Sequence, residues 1–219
     1  MTDIFQEVDE DVRRDRAAEF WRKYQAYVIA AAVLIVLASA GFRYYQFQKE
    51  RAAQAAGDQF QAAIAALDAG RSSEAFGGLA KIAAEAPAGY RVLAQMTEAG
   101  AKSATDPAAS ISAFQAIAGN GAVDPKFRDA AKLRASLLQL SVPGEESAGT
   151  TGLTALATTE GPFRRLARLT LAALDIGRGD MDDAGKLLED VLSDPDLGPR
   201  ERNLAERWLA LVASNRAGK

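Results

Sequence analysis

Nineteen consecutive residues, Tyr24 to Phe42 (YQAYVIAAAVLIVLASAGF), carry no formal charge and are closed by Lys23 on one side and Arg43 on the other. At about 1.5 Å rise per residue a helix of this length just crosses the roughly 30 Å hydrocarbon core of a bilayer. From Gln46 onward the pattern changes. Apolar residues recur every three or four positions in a background of Ala, Leu and Glu, and Gly and Pro fall at intervals suited to helices rather than strands. The chain is therefore predicted to be all-α, a transmembrane helix followed by a helical domain.

A cleaved signal peptide is the competing reading of the apolar run, since Ala38-Ser39-Ala40 is an A-x-A site. Against it, the 23 preceding residues hold seven acids where a signal peptide has a short basic region, and no helix breaker stands before Ala40. Trp21, Tyr24 and Tyr27 at one end and Tyr44 and Tyr45 at the other match the aromatic belts of a spanning helix. The run is read as an uncleaved anchor. Arg13, Arg14, Arg16, Arg22 and Lys23 precede it, whereas only Arg43, Lys49 and Arg51 follow closely, so the positive-inside rule favours a cytoplasmic N-terminus. The remainder would then lie outside the cytoplasm, which in a Gram-negative bacterium is the periplasm.

Residues 1–23 form a charged tail with Ile4, Val8 and Val12 at helical spacing. A solvated cytoplasmic tail is favoured over a membrane-surface helix because seven acids repel anionic lipid. A helix over about 46–69 would continue the anchor as a stalk, with Phe60, Ile64 and Leu67 on one face. Beyond it a four-fold frame repeats. Ala75, Leu79 and Ile82 stand at offsets 0, 4 and 7; Ser110, Phe114 and Ile117, then Gly149, Leu153 and Leu156, then Ala184, Leu188 and Val191 keep the same offsets. The starts are 35, 39 and 35 residues apart, close to the roughly 34-residue period of tetratricopeptide repeats. Gly70 and Gly179 precede the first and last frames by five residues, where that repeat turns.

Each frame marks a second helix, preceded by a first helix near 46–69, 88–102, 125–140 or 162–178. The stretch SVPGEESAGTTG, residues 141–152, is expected to be an inserted loop. A last helix near 199–214 should cap the stack through Leu204, Trp208 and Leu211. The predicted domains are a tail (1–23), a transmembrane helix (24–42), a stalk and first repeat helix (43–69), a tetratricopeptide repeat-like α-solenoid with a capping helix (70–214) and a short tail (215–219).

Composition narrows the function. The chain has no His and no Cys, which removes Ser-His-Asp, Cys-His and His-based zinc chemistry and every disulfide. After the tail, basic and acidic residues nearly balance, so no field points to nucleic acid. Gly179 to Leu187 is one residue too long for a phosphate loop and lacks its Ser or Thr. Asp180 and Asp182 echo a calcium loop whose bidentate glutamate is replaced by Val191. No catalytic, cofactor-binding or metal residue is expected. Two basic patches on predicted first helices, Arg164, Arg165 and Arg168 and, earlier, Lys126, Arg128, Lys132 and Arg134, are the candidate partner contacts. The alternative is that about half of them pair with neighbouring acids.

The FWRKY before the apolar run, GFRYYQFQ after it, and the segment GPFRRLARLTLAALDIGRGDMDDAGKLLEDVL resemble the bitopic inner-membrane proteins known as ancillary Sec translocon subunits of the YfgM type. That resemblance implies a periplasmic repeat domain tethered beside the translocon, with translocon subunits, periplasmic chaperones and exported clients as partners. It implies no cofactor. A scaffold for another envelope complex, or a homo-oligomer, is the alternative use of the same groove.

Overall fold

A computed structural model describes the backbone from residue 3 to 217, residue 159 excepted, and the side chains from 21 to 216. The Ile4, Val8 and Val12 stripe and Arg13, Arg14 and Arg16 lie outside the described side chains. Nine helices and no strand occur among the described residues: α1 (Asp3–Asp68), α2 (Ser72–Glu85), α3 (Ala88–Lys102), α4 (Pro107–Gly119), α5 (Pro125–Gln139), α6 (Glu146–Ala157), α7 (Arg164–Arg178), α8 (Met181–Leu192) and α9 (Pro199–Ala217). The chain divides into two units, Met1–Gln54 and Ala55–Lys219.

The first unit is helical throughout its described length. Its apolar run, with mean hydropathy 2.0 over the best 18 residues and none of them buried, is long and apolar enough to cross a membrane. Val28, Ile29, Val33, Leu34, Ile35, Val36 and Leu37 are all exposed.

In the second unit each helix packs on the next in sequence, from α2 on α3 through to α8 on α9. Short turns force these neighbours antiparallel. Gly70 (φ 73°) and Gly179 (φ 86°) end α1 and α7 in the left-handed region. In both turns the following amide reaches back five residues, Arg71 N to the Ala66 carbonyl and Asp180 N to the Asp175 carbonyl, each 2.8 Å. A side chain at either position would be strained, which is why glycine marks these turns. Two helices start differently: Asp106 accepts from Ala109 N before Pro107, and Asp124 from Lys126 N before Pro125.

All twelve residues of the repeated frame are buried. Four apolar clusters result, and each of α3, α5 and α7 serves two of them. Ala94 of α3 faces Leu79 and Ile82, while Val92 and Ala99 face Phe114 and Ile117. On α5, Ala131 and Ala135 join that second cluster and Leu133 joins Leu153 and Leu156. On α7, Ala167 and Leu171 face the third cluster, and Leu169 and Ala172 the fourth. Ser110 is the one polar residue of the frame, and its hydroxyl donates to the Ala99 carbonyl at 2.7 Å, so its burial leaves no unpaired group.

Two expectations are corrected. Residues 146–152 are not loop but the first half of α6. The glycines there serve packing: a Cβ on Gly149 would stand 2.7 Å from the Ser136 carbonyl oxygen, and one on Gly152 would collide with the Ser136 side chain. Thr150, Thr151 and Thr154 return their hydroxyls to carbonyls one turn back, which lets threonine sit in a helix. In α9 the inward face is Ala205, Trp208, Leu209 and Val212, while Leu211 is 45% exposed. The small residue Ala205 marks the line of closest approach there, one position from the larger Leu204.

These contacts give two helical glycines opposite roles. Gly149→Leu should destabilise the full-length protein in detergent by about 1–3 kcal/mol, since α5 and α6 must separate. At Gly77 a Cβ would meet nothing within 4 Å, so this position should accept alanine with a gain of about 0.4–1 kcal/mol. Chemical denaturation followed by circular dichroism measures both.

Candidate interaction grooves and the basic row

Among the cavities of the second unit are two grooves of about 300 and 310 Å³, one between α1 and α2 and one between α3 and α4, and a polar cleft of about 370 Å³ where the α7–α8 turn meets the end of α9. The linings of the two grooves are related by the repeat. Gln59, Ala62, Ala63 and Ala66 of α1 correspond, 36 residues on, to Gln95, Glu98, Ala99 and Lys102 of α3. Glu74, Gly78 and Lys81 of α2 correspond, 35 residues on, to Ala109, Ala113 and Ala116 of α4. Both grooves thus have small, mostly alanine floors with charged or amide rims. Such a surface can seat an apolar side chain of a partner and hold its backbone with polar edges.

The same register runs through the later hairpins. Ala63, Ala99, Ser136 and Ala172 are the buried first-helix members. One turn before them stand Gln59, Gln95, Lys132 and Arg168, and a further turn back Ala55, Arg91, Arg128 and Arg164. Gly78 and Ala113 are matched by Gly152 and then by Leu187. Leu187 packs against both the third and the fourth clusters, so its side chain occupies in the last hairpin the space that glycine and alanine leave in the first two.

The predicted contact residues divide into two groups. Arg164 donates to Asp194 at 2.8 Å and to Glu160 at 3.0 Å. Arg165 lies 3.6 Å from the same Asp194 carboxylate, and its Nε is 3.3 Å from Glu201 without hydrogen-bond geometry. Arg168 Nε donates to the Ala157 carbonyl at 3.1 Å, across to the end of α6. These three side chains are engaged within the chain. Arg128 and Lys132 are half-buried on α5 and have no side-chain hydrogen bond or ion pair among the described residues.

Asp194 was not singled out from the sequence, yet it organises the fourth hairpin. It is buried, accepts from Asp196 N at 3.0 Å, and ties α7 to the turn before α9. The Arg164 hydrogen bond first, and the Asp196 amide second, hold its carboxyl below the usual carboxylate range. The available clue was its place three residues beyond the buried Val191. Arg216 closes the opposite, turn end of α8 by donating to the Met181 carbonyl and pairing with Asp182 at 2.9 Å.

On the first unit, Trp21, Tyr24, Tyr27, Tyr44 and Tyr45 are exposed. Tyr24 and Tyr44 are twenty residues apart, about 30 Å along a helix. Cations lie over rings at both ends: Lys23 is 5.7 Å from the Tyr24 centroid, Lys49 4.7 Å from Tyr45, and Arg51 4.4 Å from Phe47. Gln48 donates to the Tyr44 hydroxyl at 2.9 Å. Amphipathic rings beside cations suit the headgroup level of a bilayer.

Residues 18–162 match the family model described as a tetratricopeptide repeat-like domain. No curated protein and no solved structure matches the chain. The match includes the apolar run and the first three hairpins and stops just before α7, whose arginines and Asp194 build the last hairpin.

The Asp194 contact sets a pH dependence. Because its folded value lies below the unfolded one, its contribution is present above about pH 4 and is lost as pH falls through the folded value. Asp194→Asn should lower Tm at pH 7 and flatten the fall in Tm between about pH 4 and pH 2. Thermal unfolding of both proteins across that range is the measurement; parallel curves would count against the assignment.

Proposed function

The chain belongs to the tetratricopeptide repeat-like domain family, and from that premise we propose that it is a membrane-anchored protein-interaction module acting beside the Sec translocon on newly exported proteins. Residues 24–42 serve as the anchor, the N-terminus lies in the cytoplasm, and the repeat domain lies in the periplasm of the inner membrane. The observation that carries the reading is the pair of repeat-related grooves on a stack of hairpins whose chain also holds a wholly exposed apolar helix. Repeat domains of this kind generally bind proteins rather than catalyse reactions.

The mechanism is local concentration. A domain tethered at the exit of a channel meets emerging segments at high effective concentration, so shallow grooves with weak intrinsic affinity are sufficient. Weak contacts also release the client quickly, since affinity differences are expressed mostly in dissociation rates. The periplasmic placement is supported by the excess of Arg and Lys before the anchor. The translocon is supported by the likeness of the FWRKY and PFRRLA segments to the ancillary subunits. Periplasmic chaperones and exported clients are the partners this reading names.

Crosslinking of the full-length protein in native membranes, followed by mass spectrometry, tests the proposal. Translocon subunits and exported precursors should be recovered, attached through residues 43–219. Cytoplasmic proteins attached to that region would overturn the orientation. Recovery of a different envelope complex alone would replace the export role with that of an assembly scaffold.

A further inference from the structure

Directly after Phe42 the apolar run gives way to residues 43–51, which hold three cations, Arg43, Lys49 and Arg51, against one acid, Glu50. All four are exposed, and none has a side-chain hydrogen bond or ion pair among the described residues. Helical side chains lean toward the N-terminus of their helix, which here is the direction of the apolar run. Arg51 accordingly lies over the Phe47 ring at 4.4 Å and Lys49 over the Tyr45 ring at 4.7 Å, each one turn back. Their charged heads thereby stand beside residues 45–47, within about 6 Å of axial rise from Arg43 and just beyond the apolar run. Rotation about the axis divides the cations. Arg43, Phe47 and Arg51 follow one another at four-residue steps on one face, whereas Tyr45 and Lys49 share another. A cavity of about 330 Å³ opens along the first face, lined by Arg43, Tyr44, Gln46, Phe47 and Glu50.

We propose that this face binds the headgroup of an anionic phospholipid, in the leaflet that meets the C-terminal end of the anchor. Arg43 and Arg51 are the groups for its phosphate, since a guanidinium presents paired donors that match phosphate oxygens. Phe47 between them gives an apolar seat for the glycerol backbone. The Gln46 amide and the Glu50 carboxylate are acceptors for the hydroxyls of a phosphatidylglycerol headgroup. An aromatic belt alone selects depth and not headgroup, whereas two unpaired arginines flanking one ring add a preference for charge. A protein partner at this depth would have to displace lipid from both cations. The site rests on the reading of residues 24–42 as a membrane anchor and names the lipid class that this anchor selects.

The test uses the full-length protein in uncharged detergent, titrated separately with phosphatidylglycerol and phosphatidylcholine of the same chains and read by native mass spectrometry. The first phosphatidylglycerol should bind on the order of tenfold more tightly than the first phosphatidylcholine, and the difference should shrink as salt rises. Arg43→Gln/Arg51→Gln should abolish that preference, and Arg43→Lys/Arg51→Lys should keep part of it. Lys49→Gln, on the other face, and Arg22→Gln/Lys23→Gln, at the far end of the anchor, should both leave it intact. An undiminished preference in the double glutamine variant would overturn the site, and so would an equal loss in either control. Displacement of the lipid by inorganic phosphate at equal concentration would make it a free-anion site and overturn the lipid assignment. A photocrosslinker at position 46 that captures a protein and no lipid in native membranes would give the face to a protein instead. Alkaline carbonate extraction of those membranes separates the two readings. Release of the wild-type protein by carbonate would remove both the anchor and the site, whereas retention without a lipid preference would remove the site alone.

Discussion

The structure of the second unit depends on one constraint: α3, α5 and α7 must each bury two faces at once. One face completes the helix's own hairpin and the other covers the hairpin before it. A single hairpin cannot bury its apolar frame alone, so stability accumulates through neighbour contacts along the chain. Small residues make the double burial feasible. Ala94, Ala99, Ala131, Ala135, Ala167 and Ala172 are all buried on these three helices, and each lets an adjacent helix approach closely. The fourth hairpin is followed by α9, which covers it with Ala205, Val212 and the partly buried Trp208.

Because the buried positions repeat, the surface positions beside them repeat as well, and chemical differences at one register become differences in shape and charge. Gly78 and Ala113 leave grooves, whereas Leu187 fills the equivalent space. Arg164 is satisfied by an internal carboxylate, whereas Arg128 is not. The two ends of the stack therefore differ in kind: hairpins with alanine-floored grooves come first, and a hairpin held by ion pairs comes last. A family match that ends at residue 162 falls at the boundary between them.

Much of this was legible in the linear pattern, for physical reasons. Leu79, Phe114, Leu153 and Leu188 could be aligned because helical burial has a fixed period and the repeat a nearly fixed length. Gly70 and Gly179 could be read as turns because only glycine is unstrained at their φ. Gly149 and Gly152 misled because the same residue type serves close helix packing, which depends on Ser136 across the hairpin and not on local sequence. Leu211 misled because size suggested burial where the smaller Ala205 marks the contact line. The grooves and the role of Asp194 depend on pairs of residues well separated in sequence, and no single periodicity displays them.

The central claim, that the hairpins stack in succession and share one register, is most directly tested by distances. Ser112, Thr151 and Lys186 occupy one register on α4, α6 and α8 and are all exposed. The chain contains no cysteine, so pairs of spin labels can be attached there through single introduced thiols and measured by pulsed dipolar spectroscopy. The account predicts that the separation between positions 112 and 186 exceeds both the 112 to 151 and the 151 to 186 separations. A separation equal to or shorter than either single step would mean that the hairpins fold back on one another, and would contradict it.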